Sequence, residues 1–374
     1  MIYILSIFVL ITAIYICSLV YIIIGFIRLR SSKNKEVLNN ESYNISVIIP
    51  VRNEEENIRA CLESLKNQNY KRSNFELIII NDHSTDDTVR IVNNFIKEND
   101  LNIHLFPLSD VSSKKEALKY GIEKSNYEII ATTDADCRLP INWLQHISKQ
   151  FKGETKMLLG PVIFNQSNGF LSSFQTLDML AIQGMEFGVA NFRNPILNNA
   201  ANLSYSKESY LNVDGFDGFD TPSGDDIFLL EKFKANNKKI TGLLNRDFIV
   251  ETESELSIKK FLNQRLRWTS KTKYYSDKML IFFSSIVLIQ NVLMGFIYLG
   301  ISLVEKYAVI LIILLFCKWL IDFILLLLVA SFFKRKRALF YFIPVQIVYP
   351  IYIILIWIAS MTLSFEWKGR KFNE

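Results

Sequence analysis

What most constrains this chain is where its charges are missing. Residues 1–27 and 279–304 carry no charged side chain, and residues 307–333 carry two, Lys318 and Asp322. An α-helix needs about 20 apolar residues to cross the hydrocarbon core of a bilayer. There, every backbone N–H and C=O must be satisfied within its own segment, so such stretches fold as helices. A fourth apolar stretch, residues 338–365, has Pro344 and Pro350 breaking its first half. A cleaved leader would place basic residues ahead of a shorter apolar core, whereas Arg28, Arg30, Lys33 and Lys35 follow the first run. We expect residues 1–27 to be a transmembrane anchor and residues 28–44 a linker.

Basic residues beside apolar runs mark the cytoplasmic side. That rule, applied to Arg28–Lys35 and to Lys334-Arg335-Lys336-Arg337, places the polar middle of a multi-pass inner or plasma membrane protein in the cytoplasm. Residues 279–365 would supply two or three C-terminal spans. A full crossing by 338–365 puts the basic tail, residues 366–374, outside, against the rule; a re-entrant first half keeps it inside. Lys318 and Asp322 are four apart and share a helix face. An intramembrane ionisable group is a functional hypothesis by default, but a mutually neutralised structural pair is the reading we prefer.

The mean hydropathy of +0.19 and the 50% hydrophobic content come from these ends. The net charge of +5 is modest, and its clustering beside apolar runs suits a membrane surface and excludes a nucleic-acid groove. Cys17, Cys61, Cys137 and Cys317 are scattered without metal-ligand spacing, so no disulfide framework is expected and the compartment is reducing.

Between the apolar ends, strands and helices alternate. Residues 45–50 read as a buried strand ended by Pro50, 58–67 as a helix, and 75–80 as a second strand. Residues 87–96 are a helix that Ser84 or Thr85 can cap. Residues 101–106 are a strand, 114–123 a helix, and 127–133 another strand. This order predicts a mostly parallel sheet covered on both faces, with ligands at the carboxyl ends of its strands. Pro50, Asp82 and Asp134 would line that crevice. No glycine-rich phosphate loop is present, which excludes the dinucleotide and P-loop classes. Residues 171–187 carry an apolar stripe that lies either on the sheet or on the membrane, core packing being preferred. Residues 198–205 are small and polar. Residues 251–278 contain an amphipathic basic stretch, 256–273, suited to the headgroup plane.

The strand at 127–133 ends in Thr133-Asp134-Ala135-Asp136-Cys137. On an extended backbone, two carboxylates one residue apart project to the same side and could hold a hard cation that bridges to phosphate. Alone, the pattern equally describes a turn.

Taken together, these stretches resemble the family 2 glycosyltransferases, specifically the membrane-anchored inverting enzymes with a GT-A fold. Ser46-Val47-Ile48-Ile49-Pro50-Val51-Arg52-Asn53-Glu54-Glu55 is similar to the family's first strand and turn, which implies donor nucleotide contacts from Pro50, Arg52 and Glu54. Asp82 matches the aspartate that contacts base or ribose. Lys114, before Ala117-Leu118, matches Lys-x-x-Ala-Leu-Asn, with Lys119 where Asn is usual. Asp134 and Asp136 match the metal-binding Asp-x-Asp, and Asp134 also the nucleotide side. Asp225-Asp226 matches a Glu-Asp pair whose second member is the general base, with Asp225 in place of Glu. Gln264, Arg267 and Trp268 fit Gln-x-x-Arg-Trp, which together with Asp225 is expected on the acceptor and diphosphate side. The resemblance covers residues 45–268 and assigns 45–250 to the GT-A domain.

The resemblance implies transfer of a sugar, with inversion, from a nucleotide-diphosphate donor expected to be a UDP-sugar. The cofactor is Mg²⁺ or Mn²⁺ and the acceptor a membrane lipid of the cell envelope. Two other readings stay open on sequence alone: a processive polysaccharide synthase, which needs enough spans to enclose a channel, and a non-catalytic membrane scaffold with a degenerate sugar-nucleotide fold.

Overall fold

The computed structural model describes residues 2–32, 42–109, 113–218, 224–303, 305–368 and 370–372. Residues 33–41 of the expected linker, residues 219–223 and parts of the basic tail lie outside the described residues. The chain packs as two compact units. One comprises residues Leu29–Asn165 and Ala190–Glu253, the other Met1–Arg28, Gln166–Val189 and Ser254–Glu374.

In chain order the elements are α1 (Ile2–Ser31), β1 (Ile45–Val51), α2 (Ile58–Lys66), β2 (Phe75–Asn81), α3 (Thr88–Glu98), β3 (Ile103–Pro107), α4 (Lys114–Lys124), β4 (Ile129–Thr132) and α5 (Trp143–Phe151). They continue with β5 (Met157–Leu159), β6 (Val162–Phe164), α6 (Phe170–Ala190), β7 (Leu203–Ser206), α7 (Lys207–Asn212), α8 (Asp225–Ala235), β8 (Ile240–Gly242) and β9 (Val250–Thr252). Then come α9 (Ile258–Ser270), α10 (Lys278–Leu303), α11 (Ala308–Phe333), α12 (Phe342–Thr362), β10 (Phe365–Trp367) and β11 (Arg370–Phe372).

The first unit is built on a sheet of order β3-β2-β1-β4-β7-β5-β8. The first four strands run parallel, with Ile45 opposite both Phe75 and Ile129. Continuous apolar sequences such as Ile45–Val51 suit strands buried on both faces, and their residues are buried throughout except Pro50. β7 runs antiparallel to β4 and β5, and β6 pairs with β9 in a small parallel sheet. One face packs Ile48, Leu118, Ile122, Ile130, Tyr205 and Phe233 together. Gly121 lets α4 close on β1, because a Cβ there would stand 2.6 Å from Ile48 Cγ2.

Buried polar groups in this unit are saturated where they hold strands in register. Glu76 accepts from Ser46 Oγ (2.6 Å) and from the backbone and side-chain nitrogens of Asn126 (2.7 Å each). Asn202 donates to the carbonyls of Pro161 (3.1 Å) and Phe248 (2.9 Å) and accepts from Trp143 Nε1 (2.8 Å). Gly160 leaves room for that amide; a Cβ there would lie 2.2 Å from Asn202 Nδ2.

The second unit is helical. Among the described residues, four helical stretches are long and apolar enough to cross a membrane: Tyr3–Ser31, Lys278–Tyr298, Ala308–Phe333 and Lys336–Thr362. The expected break in residues 338–365 does not occur. Pro344 falls in the first turn of α12, where its missing N–H is not needed, and Pro350 is accommodated inside the helix at the loss of one hydrogen bond. Lys318 and Asp322 pair at 2.8 Å. Gln346 closes the pair, accepting from Lys318 (2.6 Å) and donating to Asp322 (2.9 Å), and Tyr15 donates to Asp322 at 2.7 Å. α6 is buried along most of its length and belongs mainly to this unit.

Gly184 and Gly188 give α6 a small-residue face of the kind that lets apolar helices approach closely. A Cβ on Gly188 would lie 2.5 Å from the Ile22 carbonyl oxygen, and one on Gly184 3.1 Å from Val329. At Gly295 in α10 nothing lies within 4 Å. Gly188→Ala should therefore cost about 1–3 kcal/mol through overpacking, while Gly295→Ala should gain up to about 1 kcal/mol of helix propensity. Unfolding of the two variants in detergent checks the opposite signs.

Candidate active site

The loops after β1 and β2 interlock at the carboxyl end of the sheet. Arg52 Nη1 donates to the Asp82 carbonyl oxygen (2.7 Å) and lies 4.0 Å from its buried carboxylate. Asn53 N donates to Ser84 Oγ (3.1 Å) and Thr85 N to Asn53 Oδ1 (2.8 Å). Glu54 N donates to Thr88 Oγ1 (2.8 Å), and Asp87 N to Glu55 Oε2 (2.9 Å). Ser84 and Thr85 are thus engaged by Asn53 and do not cap α3, correcting the sequence expectation; Asp87 is the N-cap and makes no side-chain cap bond. Asn53 and His83 hold left-handed backbone at φ 49° and 56°, a conformation in which Asn and His are enriched. His83 Nδ1 lies 3.1 Å from Asp82 Oδ1. Burial raises the Asp86 carboxyl, but hydrogen bonds from Thr88 and the Glu55 amide outweigh it and hold it below its ordinary value.

β4 ends at Thr132, and the residues after it turn: Cys137 N donates to the Asp134 carbonyl at 3.1 Å. The Asp-x-Asp pair therefore sits on a turn, and strand periodicity does not orient it as expected. Asp134 Oδ1 pairs with Lys114 Nζ at 2.5 Å. Asp136 Oδ2 accepts from Thr252 Oγ1 at 3.1 Å, and Cys137 Sγ is 3.7 Å from its Oδ1. Cys61 Sγ reaches the Asp134 carbonyl at 3.6 Å. Burial, and then the Asp136 charge, push both thiols well above their ordinary range. Among the described residues, no three His, Cys, Asp or Glu side chains could hold a metal by themselves. Two carboxylates at one turn fit a hard divalent ion whose remaining ligands are phosphate and water oxygens.

Asp225 and Asp226 form the first turn of α8, after Gly224 at φ 102°. An anion is favourably placed at that end of the helix. Asp226 Oδ1 accepts from Ile227 N at 2.8 Å, and the Asp226 carbonyl accepts from Asn198 Nδ2 at 3.0 Å. Lys232 gathers the preceding turn by donating to the carbonyls of Asp214 (3.0 Å), Gly215 (2.9 Å) and Asp217 (2.6 Å). Lys119 donates to Asp217 at 2.8 Å, a hydrogen bond that holds the Asp217 carboxyl below its ordinary value.

Pro50, Arg52, Glu54, Asp82, Lys114, Asp134 and Asp136 thus lie at or just beyond the carboxyl side of parallel strands in one unit. Gln264, Arg267 and Trp268 lie on α9 in the other unit. On that helix the buried cation is Arg265, which the motif spacing had passed over. It pairs with Asp178 of α6 at 2.9 Å, both side chains being almost wholly buried. Its guanidinium carbon lies 4.1 Å from the Trp268 ring centre and 5.1 Å from that of Phe261. Tyr349 donates to Asp178 at 2.9 Å. The available signal was a lone aspartate in the apolar stripe 171–187.

A model described as "Glycosyl transferase family 2" matches residues 46–209, and one described as "Glycosyl transferase family group 2" matches residues 129–364. The chain belongs to the family 2 glycosyltransferases. This glycosyltransferase is 28% identical over 207 residues to a probable glycosyltransferase of Sulfolobus acidocaldarius, covering 52% of this chain and 44% of that protein. It is 34% identical over 126 residues to the glycosyltransferase AglE of Haloferax volcanii, covering 33% and 41%. The match thus spans less than half of either relative's length. Among solved structures, the mannosyltransferase PcManGT from Pyrobaculum calidifontis, in complex with GDP-Man and Mn²⁺, aligns over 96% of this chain and 99% of that one. The TM-score is 0.66 at 14% identity. The likeness is one of fold, the GT-A sheet with apolar helices.

Removing one member of a buried ion pair strands the other charge, at about 3–5 kcal/mol. Asp178→Asn or Arg265→Met should therefore destabilise the glycosyltransferase by that order. The combination Asp178→Leu, Arg265→Met, Tyr349→Phe and Tyr352→Phe should recover most of the loss, because it removes the charges together with the two tyrosine hydroxyls that bond them. Unfolding midpoints in detergent test both statements.

Proposed function

We propose that this chain transfers one or a few sugars, with inversion, from a nucleotide-diphosphate donor to a lipid at the cytoplasmic face of a membrane. The observation that carries this reading is the gathering of Arg52, Asp82, Lys114, Asp134 and Asp136 at the carboxyl side of the parallel strands. Pro50, Arg52, Glu54, Asp82 and Lys114 would bind the donor nucleotide, Asp134 contributing from the metal side. Asp134 and Asp136 would hold Mg²⁺ or Mn²⁺, which when bound neutralises charge on the diphosphate; the Mn²⁺ in the PcManGT structure supports this. That protein's GDP-Man supports a nucleotide-sugar donor, so GDP-mannose is the comparison for the expected UDP-sugar.

In an inverting transfer, the acceptor hydroxyl attacks the anomeric carbon while the diphosphate leaves from the opposite face. Asp226 takes the hydroxyl proton. Asp225, Gln264 and Arg267 would serve the acceptor and the departing diphosphate. Trp268 already has Arg265 stacked near its ring and would present what remains of its surface. Leu256, Ile258 and Leu262 are exposed on and beside α9, with Lys259 and Lys260 also exposed; this supports a seat at the headgroup level, where a lipid hydroxyl is presented.

The test is a panel of radiolabelled UDP-sugars and GDP-mannose, incubated with membranes carrying the chain. Label should partition into organic solvent as a discrete glycolipid. Asp226→Asn should bind donor almost normally and lose about 10²–10⁴-fold in turnover. Excess chelator, or Asn at Asp134 or Asp136, should abolish transfer. Water-soluble, size-heterogeneous product would replace this reading with a polysaccharide synthase. Full activity in chelator would remove the cation from it.

A further inference from the structure

The run Asn198-Asn199-Ala200-Ala201-Asn202 contains three asparagines, and the structure uses them differently. Asn199 Oδ1 accepts from Ala201 N at 3.0 Å, and Asn202 is saturated by three hydrogen bonds. Asn198 is 8% exposed. Its Nδ2 donates to the Asp226 carbonyl at 3.0 Å, while its buried Oδ1 has no hydrogen-bond partner. The orientation of the amide follows from its contact: a carbonyl can only accept, so the nitrogen must face Asp226 and the oxygen must face elsewhere. A buried acceptor without a donor is unfavourable, and this one is fixed in the frame of the candidate base.

We propose that Asn198 is a specificity-determining residue of the transfer site, its Oδ1 accepting a hydrogen bond from a hydroxyl of the acceptor beside the hydroxyl that is attacked. This rests on the reading of Asp226 as the base. One acceptor hydroxyl faces the Asp226 carboxylate, and its neighbour fills the open valence of Asn198. Such a site rejects an acceptor that lacks the second hydroxyl, because the buried oxygen would again be unpaired.

The full chain in mixed micelles is assayed with whichever UDP-sugar or GDP-mannose of that panel labels lipid, while the lipid extract of the membranes that carry it is varied as acceptor. Asn198→Leu should raise the apparent KM for the extract roughly tenfold, the loss of about one hydrogen bond. The donor Kd should stay within about twofold, and the unfolding midpoint should change little, since removal of an unsatisfied oxygen offsets loss of the hydrogen bond to the Asp226 carbonyl. Asn198→Ala gives the same readings should Leu not be accommodated. Equal weakening of donor and acceptor, an unchanged acceptor KM, or a lower midpoint with all constants falling together would overturn the proposal. Asp226→Asn is the separate arm. If it turns over like the parent chain, the base assignment fails, and Asn198 is then judged on acceptor KM alone. No transfer by the parent chain overturns both.

Discussion

The chemistry of the sheet-bearing unit depends on β3, β2, β1 and β4 running the same way. Parallel neighbours must end on one side, so the loops that follow them meet there whatever their sequence. β7 adds a second consequence. It runs antiparallel to β4, with Leu203 opposite Thr132, so the residues that precede β7 enter at the end where β4 leaves. Thr132 Oγ1 donating to the Ala200 carbonyl at 2.7 Å ties the two together. One reversed strand thereby brings the Asn198–Asn202 run to the same end as Asp134. No glycine-rich loop is required, because the two loops after β1 and β2 supply one another's hydrogen bonds.

Ionic groups are handled differently in the two units. In the first, Lys114 with Asp134 is partly open to solvent, and Arg52 keeps slight exposure beside the buried Asp82 carboxylate. In the second, Lys318 with Asp322 and Arg265 with Asp178 are deeply buried and ringed by Gln346, Tyr15 and Tyr349. A buried pair gains little net stability over apolar packing but is costly to break. Such pairs specify which helix faces meet more than they strengthen the bundle, a task left open where the apolar surfaces are otherwise uniform.

The alternation of apolar runs with helical spacing was enough to read the parallel sheet, and the charge-free stretches were enough to read the long helices. Strand ends were less legible: β4 ends at Thr132, so the Asp-x-Asp pair lies beyond the strand, where its periodicity carries no information. Ser84 and Thr85 look like helix caps locally, but the neighbouring loop outbids the helix for them. Pro344 and Pro350 suggested a broken segment because composition does not reveal that one falls in a first turn. Asn198 could not be singled out, since three asparagines in five residues look alike until their partners are known.

The two arginines of α9 show why a motif identifies a helix before it identifies a residue. Successive residues on an α-helix are about 100° apart, so positions 261, 265 and 268 share one face while 267 lies about 200° from 265. The face of Phe261, Arg265 and Trp268 turns inward, where Arg265 meets Asp178. Gln264 lies one residue to the side, and its Nε2 donates to Glu255 Oε1 at 3.4 Å. Arg265 fixes the helix against α6 and backs the indole.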